Sequence, residues 1–223
     1  MRRLSLVALL GLALATTAQA ENAPLHVAAY NGHVAAIRVL IADGANVNAR
    51  NDKRWTPLHA AAAGGRPAAI DALVNRGAHV NAEDRDGWTP LHEAAYEGHS
   101  AAIETLILRG ANVDATNEDI GTPLHAGAVE GRVAALKALL AGGASVDARD
   151  KHGNTALHHA AYTFQTAAIE ALLAGGANVN AKTDGGLTPI GAAQLGIEQS
   201  KANVVPIAAF HEAVEVLKAH GGH

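Results

Sequence analysis

Residues Gly87 to His99 read "GWTPLHEAAYEGH" and contain the run "HEAAY". One residue separates that run from H-E-x-x-H, where two histidines on one helix face converge on zinc and the glutamate is the general base. Here the fourth position after His92 is Tyr96, and the next histidine is His99. The rest of the chain settles the reading. The leucine of "PLH" recurs as Leu25, Leu58, Leu91, Leu124 and Leu157, with Ile190 as a sixth member, always at a step of 33 residues. The histidine recurs with it as His26, His59, His92, His125 and His158. Only His92 has a glutamate next; the others precede Val27, Ala60, Ala126 and His159. A catalytic pair does not arise from a shared position whose other copies lack the base, so the five histidines are read as structural.

Two further series keep the phase: Ile37, Ile70, Ile103, Leu136, Ile169, and Val47, Val80, Val113, Val146, Val179. Self-similarity of this length marks a stacked repeat architecture. Each unit opens with a capping threonine (Thr56, Thr89, Thr122, Thr188) followed by Pro57, Pro90, Pro123 or Pro189, which suit a first helical turn. A short Ala-rich helix follows, then a turn and a second helix. In the second helix of the third unit Ile103, Leu106 and Ile107 share one face. Gly44, Gly77, Gly110, Gly143 and Gly176 are the expected left-handed helix stops.

Motif and period together closely resemble the ankyrin repeat, whose marker is T-P-L-H-x-A at 33 residues. The resemblance implies an all-α solenoid of about six helix-turn-helix repeats with β-hairpin fingers, each repeat stabilised by its neighbours. It places the repeats near 22–49, 50–82, 83–115, 116–148, 149–181 and 182–223 within a single domain, 21–223. It also implies that the histidines tie hairpin to helix start. Same-phase histidines on packed helices ~8–10 Å apart are too distant to share a metal, whose two nitrogen ligands lie within ~4 Å of each other. No metal or cofactor is expected.

Residues 1–20, "MRRLSLVALLGLALATTAQA", have a basic start, an apolar run and a small-residue cleavage signature after Ala20. This is the pattern of a cleaved secretory signal, too short to span a bilayer. Without Arg2 and Arg3, 15 of the 17 Lys+Arg remain against 21 Asp+Glu, a formal charge of −6. No basic stripe for nucleic acid is present, and the chain has no cysteine to staple or lipidate. The expected setting is the periplasm, or alternatively outside the cell, with no membrane attachment after cleavage and a monomeric chain.

Departures from the pattern carry their own expectations. Phe164 stands where the other units have a glycine after the first helix, so that turn should be less regular. Arg54 and Ile120 replace the finger-turn glycine found at Gly87 and Gly153, so those turns should use other backbone conformations. Repeat six lacks the histidine, with Gly191 in its place, and carries an insertion of about 12 residues around "IEQSKANVVPIA". Beyond it Ile207, Phe210, Val214 and Leu217 keep helical spacing, which predicts a longer final helix.

The resemblance assigns partner contact to the finger tips, the residue before Thr-Pro, and the residues following "AA" on the first helix, all on the concave side. Trp55 and Trp88 precede Thr-Pro; Tyr30, Tyr96 and Tyr162 follow "AA". Around Trp55, Trp88 and Tyr96 stand Lys53, Arg85, Asp86 and Glu97, with Glu118, Asp119 and Glu130 making the middle of the groove acidic. Trp, Tyr and Arg dominate interface hot spots. These residues are the candidate site of a non-enzymatic protein-binding module. An adaptor or chaperone-like binder and an inhibitor or immunity-type protein blocking a toxin or hydrolase are both compatible with it. An enzyme or metal carrier is the contrasting class, and no nucleophile–base arrangement or phosphate-cradling loop speaks for it.

Overall fold

The computed structural model describes residues 23–199 and 207–223; the expected signal segment, 1–20, and the middle of the repeat-six insertion lie outside the described residues. The described residues contain α1 (Ala23–Asn31), α2 (Val34–Ala42), α3 (Pro57–Ala63), α4 (Pro67–Val74), α5 (Pro90–Glu97), α6 (Ser100–Leu108), α7 (Pro123–Val129), α8 (Val133–Ala141), α9 (Ala156–Tyr162), α10 (Thr166–Ala174), α11 (Pro189–Gln199) and α12 (Ile207–Ala219). Odd-numbered helices stack on one another from α1 to α11, even-numbered ones from α2 to α12, and each pair packs within itself. None is long and apolar enough to cross a membrane.

Local chemistry sets each helix. Thr56 caps α3 by accepting the His59 backbone N–H, while the His59 ring accepts the Thr56 backbone N–H, a reciprocal box with His in the usual place of Glu or Gln. Thr89, Thr122 and Thr155 repeat it with His92, His125 and His158. The second helices end on a glycine at positive φ, such as Gly110 at 87°. There Ala111 N–H donates back to Leu106 O at 2.9 Å, the six-to-one closure that satisfies an orphan carbonyl.

The core is the periodic set itself. Leu25, Leu58, Leu91, Leu124 and Leu157 and the Ile37 series are buried, as are Ala28, Ala61, Ala94 and Ala160 between successive first helices. Burying a Leu or Ile side chain is worth about 1.5–3 kcal/mol, and the small alanines allow the odd helices to approach closely. At Gly64 the preceding repeat is so near that an added Cβ would collide with the Tyr30 carbonyl.

A polar ladder on the helix-stop side fixes the register of repeat six. Asn48 donates to Gly77 O and accepts from His79 N, partners 29 and 31 residues on. Asn81 repeats this with Gly110 and Asn112. Asn180 makes the same pair with Gly221 and His223, but 41 and 43 residues on. The excess of 12 is the insertion, and α12 therefore occupies the second-helix place. Its 13 residues exceed the eight or nine of the other second helices. Ala213, Val214 and Leu217 are buried, and Phe210 meets Phe164 edge-on at 6.0 Å. Ile207, expected on the apolar face, is 65% exposed. α11 reaches 11 residues and runs through Ile197, where repeats one to four have a glycine.

The fingers depart from expectation. Among the described residues the β-hairpins reduce to turns with one isolated bridge, Asn117–Gly121. A backbone bond crosses each turn, as Asp84 N donates to Trp88 O at 2.9 Å, and Asx side chains add to it: Asp84 Oδ1 accepts from Asp86 N (2.8 Å) and Trp88 N (2.9 Å), an Asx turn. Arg54 does take the left-handed conformation, at φ 60°, like Gly87 at 79°. The repeat-four turn instead moves its positive φ from Ile120 to Gly121, at 96°, because a β-branched residue resists that region. Phe164 likewise holds φ 57° and preserves the turn, with Gln165 N donating to Ala160 O at 2.9 Å as its counterparts do. The irregular turn expected there does not form; neighbouring contacts, Phe210 among them, outweigh the strain.

Candidate protein-binding groove

The histidine row builds the frame. His59 Nδ1 accepts the Thr56 N–H, so the proton resides on Nε2, which donates to Trp88 O at 3.0 Å in the next repeat. His26 reaches Trp55 O, His92 reaches Gly121 O, His125 reaches Asn154 O, and His158 reaches Leu187 O in the same way. Burial pushes His59, His92 and His125 down to about 4, and lowers His158 for the same reason. These rings are neutral donors engaged at both nitrogens, which leaves no lone pair for a metal. Their acceptors are the carbonyls of the residues before Thr-Pro. The ladder thereby positions Trp55 and Trp88.

On that frame three aromatic residues converge. Trp55 stacks on His59 (6.3 Å, 16°) and donates Nε1–H to Asp84 Oδ2 at 3.0 Å. Trp88 meets His92 at 5.7 Å and Tyr96 edge-on at 5.5 Å. The Lys53 ammonium lies 5.6 Å from the Trp55 ring centroid, within cation–π range. Glu130 lies beside the Tyr96 hydroxyl, and its charge pushes that phenol upward. Glu97 is exposed on α5.

Arg85, Asp86, Glu118 and Asp119 line a cleft of about 800 Å³ between the fingers of repeats three to five, together with Arg149 and Lys151. Arg85 is already committed to Asp52 O of the neighbouring finger at 2.7 Å. Asn117 also lines this cleft, and its Nδ2 is a buried donor without a partner. The outer tyrosines stand apart. Tyr162 donates to Gln199 Oε1 at 2.6 Å, while Tyr30 is 50% exposed on α1.

Two groups of residues escaped the sequence reading. The residue before each second helix reaches back one repeat: Arg66 to Tyr30 O, His99 to Ala63 O, and Arg132 to Tyr96 O, each at 3.0 Å. These cations and donors satisfy orphan carbonyls at the preceding first-helix end. Long polar residues at one phase, 66, 99, 132 and 165, were the available signal. The other group is Asp84 with Glu93. Both are 7% exposed, and burial, followed by the charges of Asp84 and Glu97, raises Glu93 to about 7.

A family model described as ankyrin repeats (3 copies) matches residues 6–84, 25–117 and 91–183. No curated protein matches the chain. Among solved structures, the ankyrin repeat domain of human ASB11 is similar, at 31% identity and a TM-score of 0.75, over 90% of this chain and 85% of that one. The 33-residue period, the Thr-Pro-Leu-His boxes and the stacked helix pairs agree with both matches, and the chain belongs to the ankyrin-repeat family.

Proposed function

We propose that this protein is an exported, non-enzymatic binder that holds another protein against the concave face built by its first helices and finger bases. Ankyrin repeats generally mediate protein–protein interaction. The observation carrying the reading here is the convergence of Trp55, Trp88 and Tyr96 on one face, where the repeated positions could have held any residue. Such aromatics are large, stiff anchors with a low ordering cost. The segment 1–20 supports export to the periplasm, and the role that fits is an adaptor or chaperone-like one carried out by a monomer. N-terminal sequencing of the exported protein should begin at Glu21; an intact Met1 refutes export by cleavage.

The binding test is affinity capture from a periplasmic extract, with wild type beside a folded Trp55→Ala, Trp88→Ala, Tyr96→Ala variant. Capture by wild type alone supports the groove. Equal capture by both moves the site elsewhere. Adding the protein to its captured partner then separates an adaptor, which preserves activity, from an inhibitor, which abolishes it at stoichiometric ratio.

A further inference from the structure

The finger base and the first residue after the histidine recur at fixed phase in every complete repeat. In repeat five they are Asp150 and His159, with His159 Nε2 2.9 Å from Asp150 Oδ2. In repeats two and four they are the neutral pairs Asn51 with Ala60 and Asn117 with Ala126. Repeat three alone places two carboxylates there, Asp84 and Glu93. Asp84 is held by three donors: Asp86 N, Trp88 N and Trp55 Nε1. Among the described residues Glu93 receives no hydrogen bond, and neither carboxylate joins an ion pair.

Burial disfavours the charged form of a carboxyl that no protein donor meets. The Glu93 oxygens keep some contact with solvent, since among the described residues the fully buried side-chain polar atom without a partner is Asn117 Nδ2. The groups around Glu93 sharpen the deficit. Asp84 and Glu97 act on Glu93 with like charge, and Lys53 is the one cation acting on it. That ammonium lies over the Trp55 ring instead of pairing with either carboxylate. His59 and His92, which feel the Asp84 charge, are buried and neutral. The rim above is aromatic, with Trp55 bonded to Asp84 and Trp88 braced by Tyr96. Carboxylates beside aromatic rings are the chemistry that recognises a desolvated cation.

We propose that the Asp84–Glu93 site of repeat three receives one lysine or arginine side chain from the bound protein, the place that His159 fills internally in repeat five. This rests on the groove being the binding face. The incoming cation bonds Glu93, which the fold leaves unpaired, and its stem packs along Trp55 and Trp88. Docking drives Glu93 to the carboxylate, so its proton passes to solvent and binding strengthens as pH rises.

The test uses the purified chain with blocked tripeptides carrying a central lysine, arginine or norleucine. Two NMR signals are read: the Trp55 and Trp88 indole N–H, and the Glu93 carboxyl carbon through a pH titration. Saturable indole shifts with lysine or arginine and none with norleucine are expected. The Glu93 midpoint should fall by about one unit or more at saturation. Glu93→Gln, checked for an unchanged fold, should weaken the cationic peptides roughly tenfold or more, whereas Glu104→Gln, exposed on the second helix α6, should leave them unchanged. Equal response to norleucine, no response to any peptide, or undiminished binding by Glu93→Gln overturns the proposal. If Glu93→Gln still captures the partner that the aromatic triple variant loses, the binding face stands and only its cation specificity falls.

Discussion

In repeat five, Asp150 and His159 complete one another: burial opposes ionisation of Asp150, but bonds from Asn154, His159 and two backbone N–H groups overcome it and bring the carboxyl down to about 2. In repeat three the same two backbone positions hold Asp84 and Glu93, and Glu93 rises to about 7. The frames match. Both fingers turn on a glycine, Gly87 at φ 79° and Gly153 at 76°, and both helices start from a Thr–His box. One side chain on a common frame, glutamate in place of histidine, thus converts a self-satisfied polar pair into one without an internal partner. In a stack where each unit leans on its neighbours, one repeat can give up local stability without unfolding the array.

The largest test of this contrast is the acid slope. His59, His92 and His125 have folded values below 6.5, so the stability they permit is full above 6.5 and is lost as pH falls toward 4. Between pH 7.5 and 5.5 these three amount to about 4 kcal/mol. Glu93 runs the other way. Its folded value lies above 4.5, so it penalises folding increasingly as pH rises from 4.5 to about 7. It should offset about half of the histidine loss over the same interval. Urea unfolding at the two pH values should show the full loss in Glu93→Gln and about half in wild type. Equal slopes would mean that Glu93 is not strained.

Next in size is the conversion of repeat five into repeat three. His159→Glu removes the bond to Asp150, whose side chain is 3% exposed, and sets two carboxylates together. The edge-on contact of His159 with His125 at 5.4 Å goes too. A loss of about 3 kcal/mol is expected at pH 7 by urea unfolding, less at pH 5. A loss below about 1 kcal/mol would show that solvent screens the pair and that the burial argument fails for repeat three as well.

Much of this was legible in the chain. The 33-residue series marked the buried core and the helix stops, because each member serves the same packing role in every unit. Trp55, Trp88 and Tyr96 were singled out by the positions they hold in the repeat. The Asp84–Glu93 apposition was not, since nine residues and a change from finger to helix separate the two, and Glu93 first drew notice as half of a false zinc motif. The finger hairpins were overestimated because these fingers are short turns closed by a backbone bond and the Asx bonds around it, too short for paired strands. Phe164 and Arg54 misled for a different reason: propensity argues against a side chain at positive φ, but tertiary contacts can hold it there.

The smallest test asks whether the finger frame is as neutral as the comparison requires. Arg54 is exposed and sits at φ 60° where repeats three and five have glycine. Arg54→Gly should relieve backbone strain and raise stability by about 1 kcal/mol, net of the glycine's extra unfolded-state entropy. The reverse change, Gly87→Arg, should cost a similar amount, with a Cβ 3.3 Å from that of Asn117. Neither should move the Glu93 titration midpoint, because Asp84 is anchored by Trp88 N and Trp55 Nε1 rather than by the turn residue. A midpoint that follows Gly87→Arg would make the finger backbone, and not the Asp84–Glu93 pairing alone, a determinant of the repeat-three site.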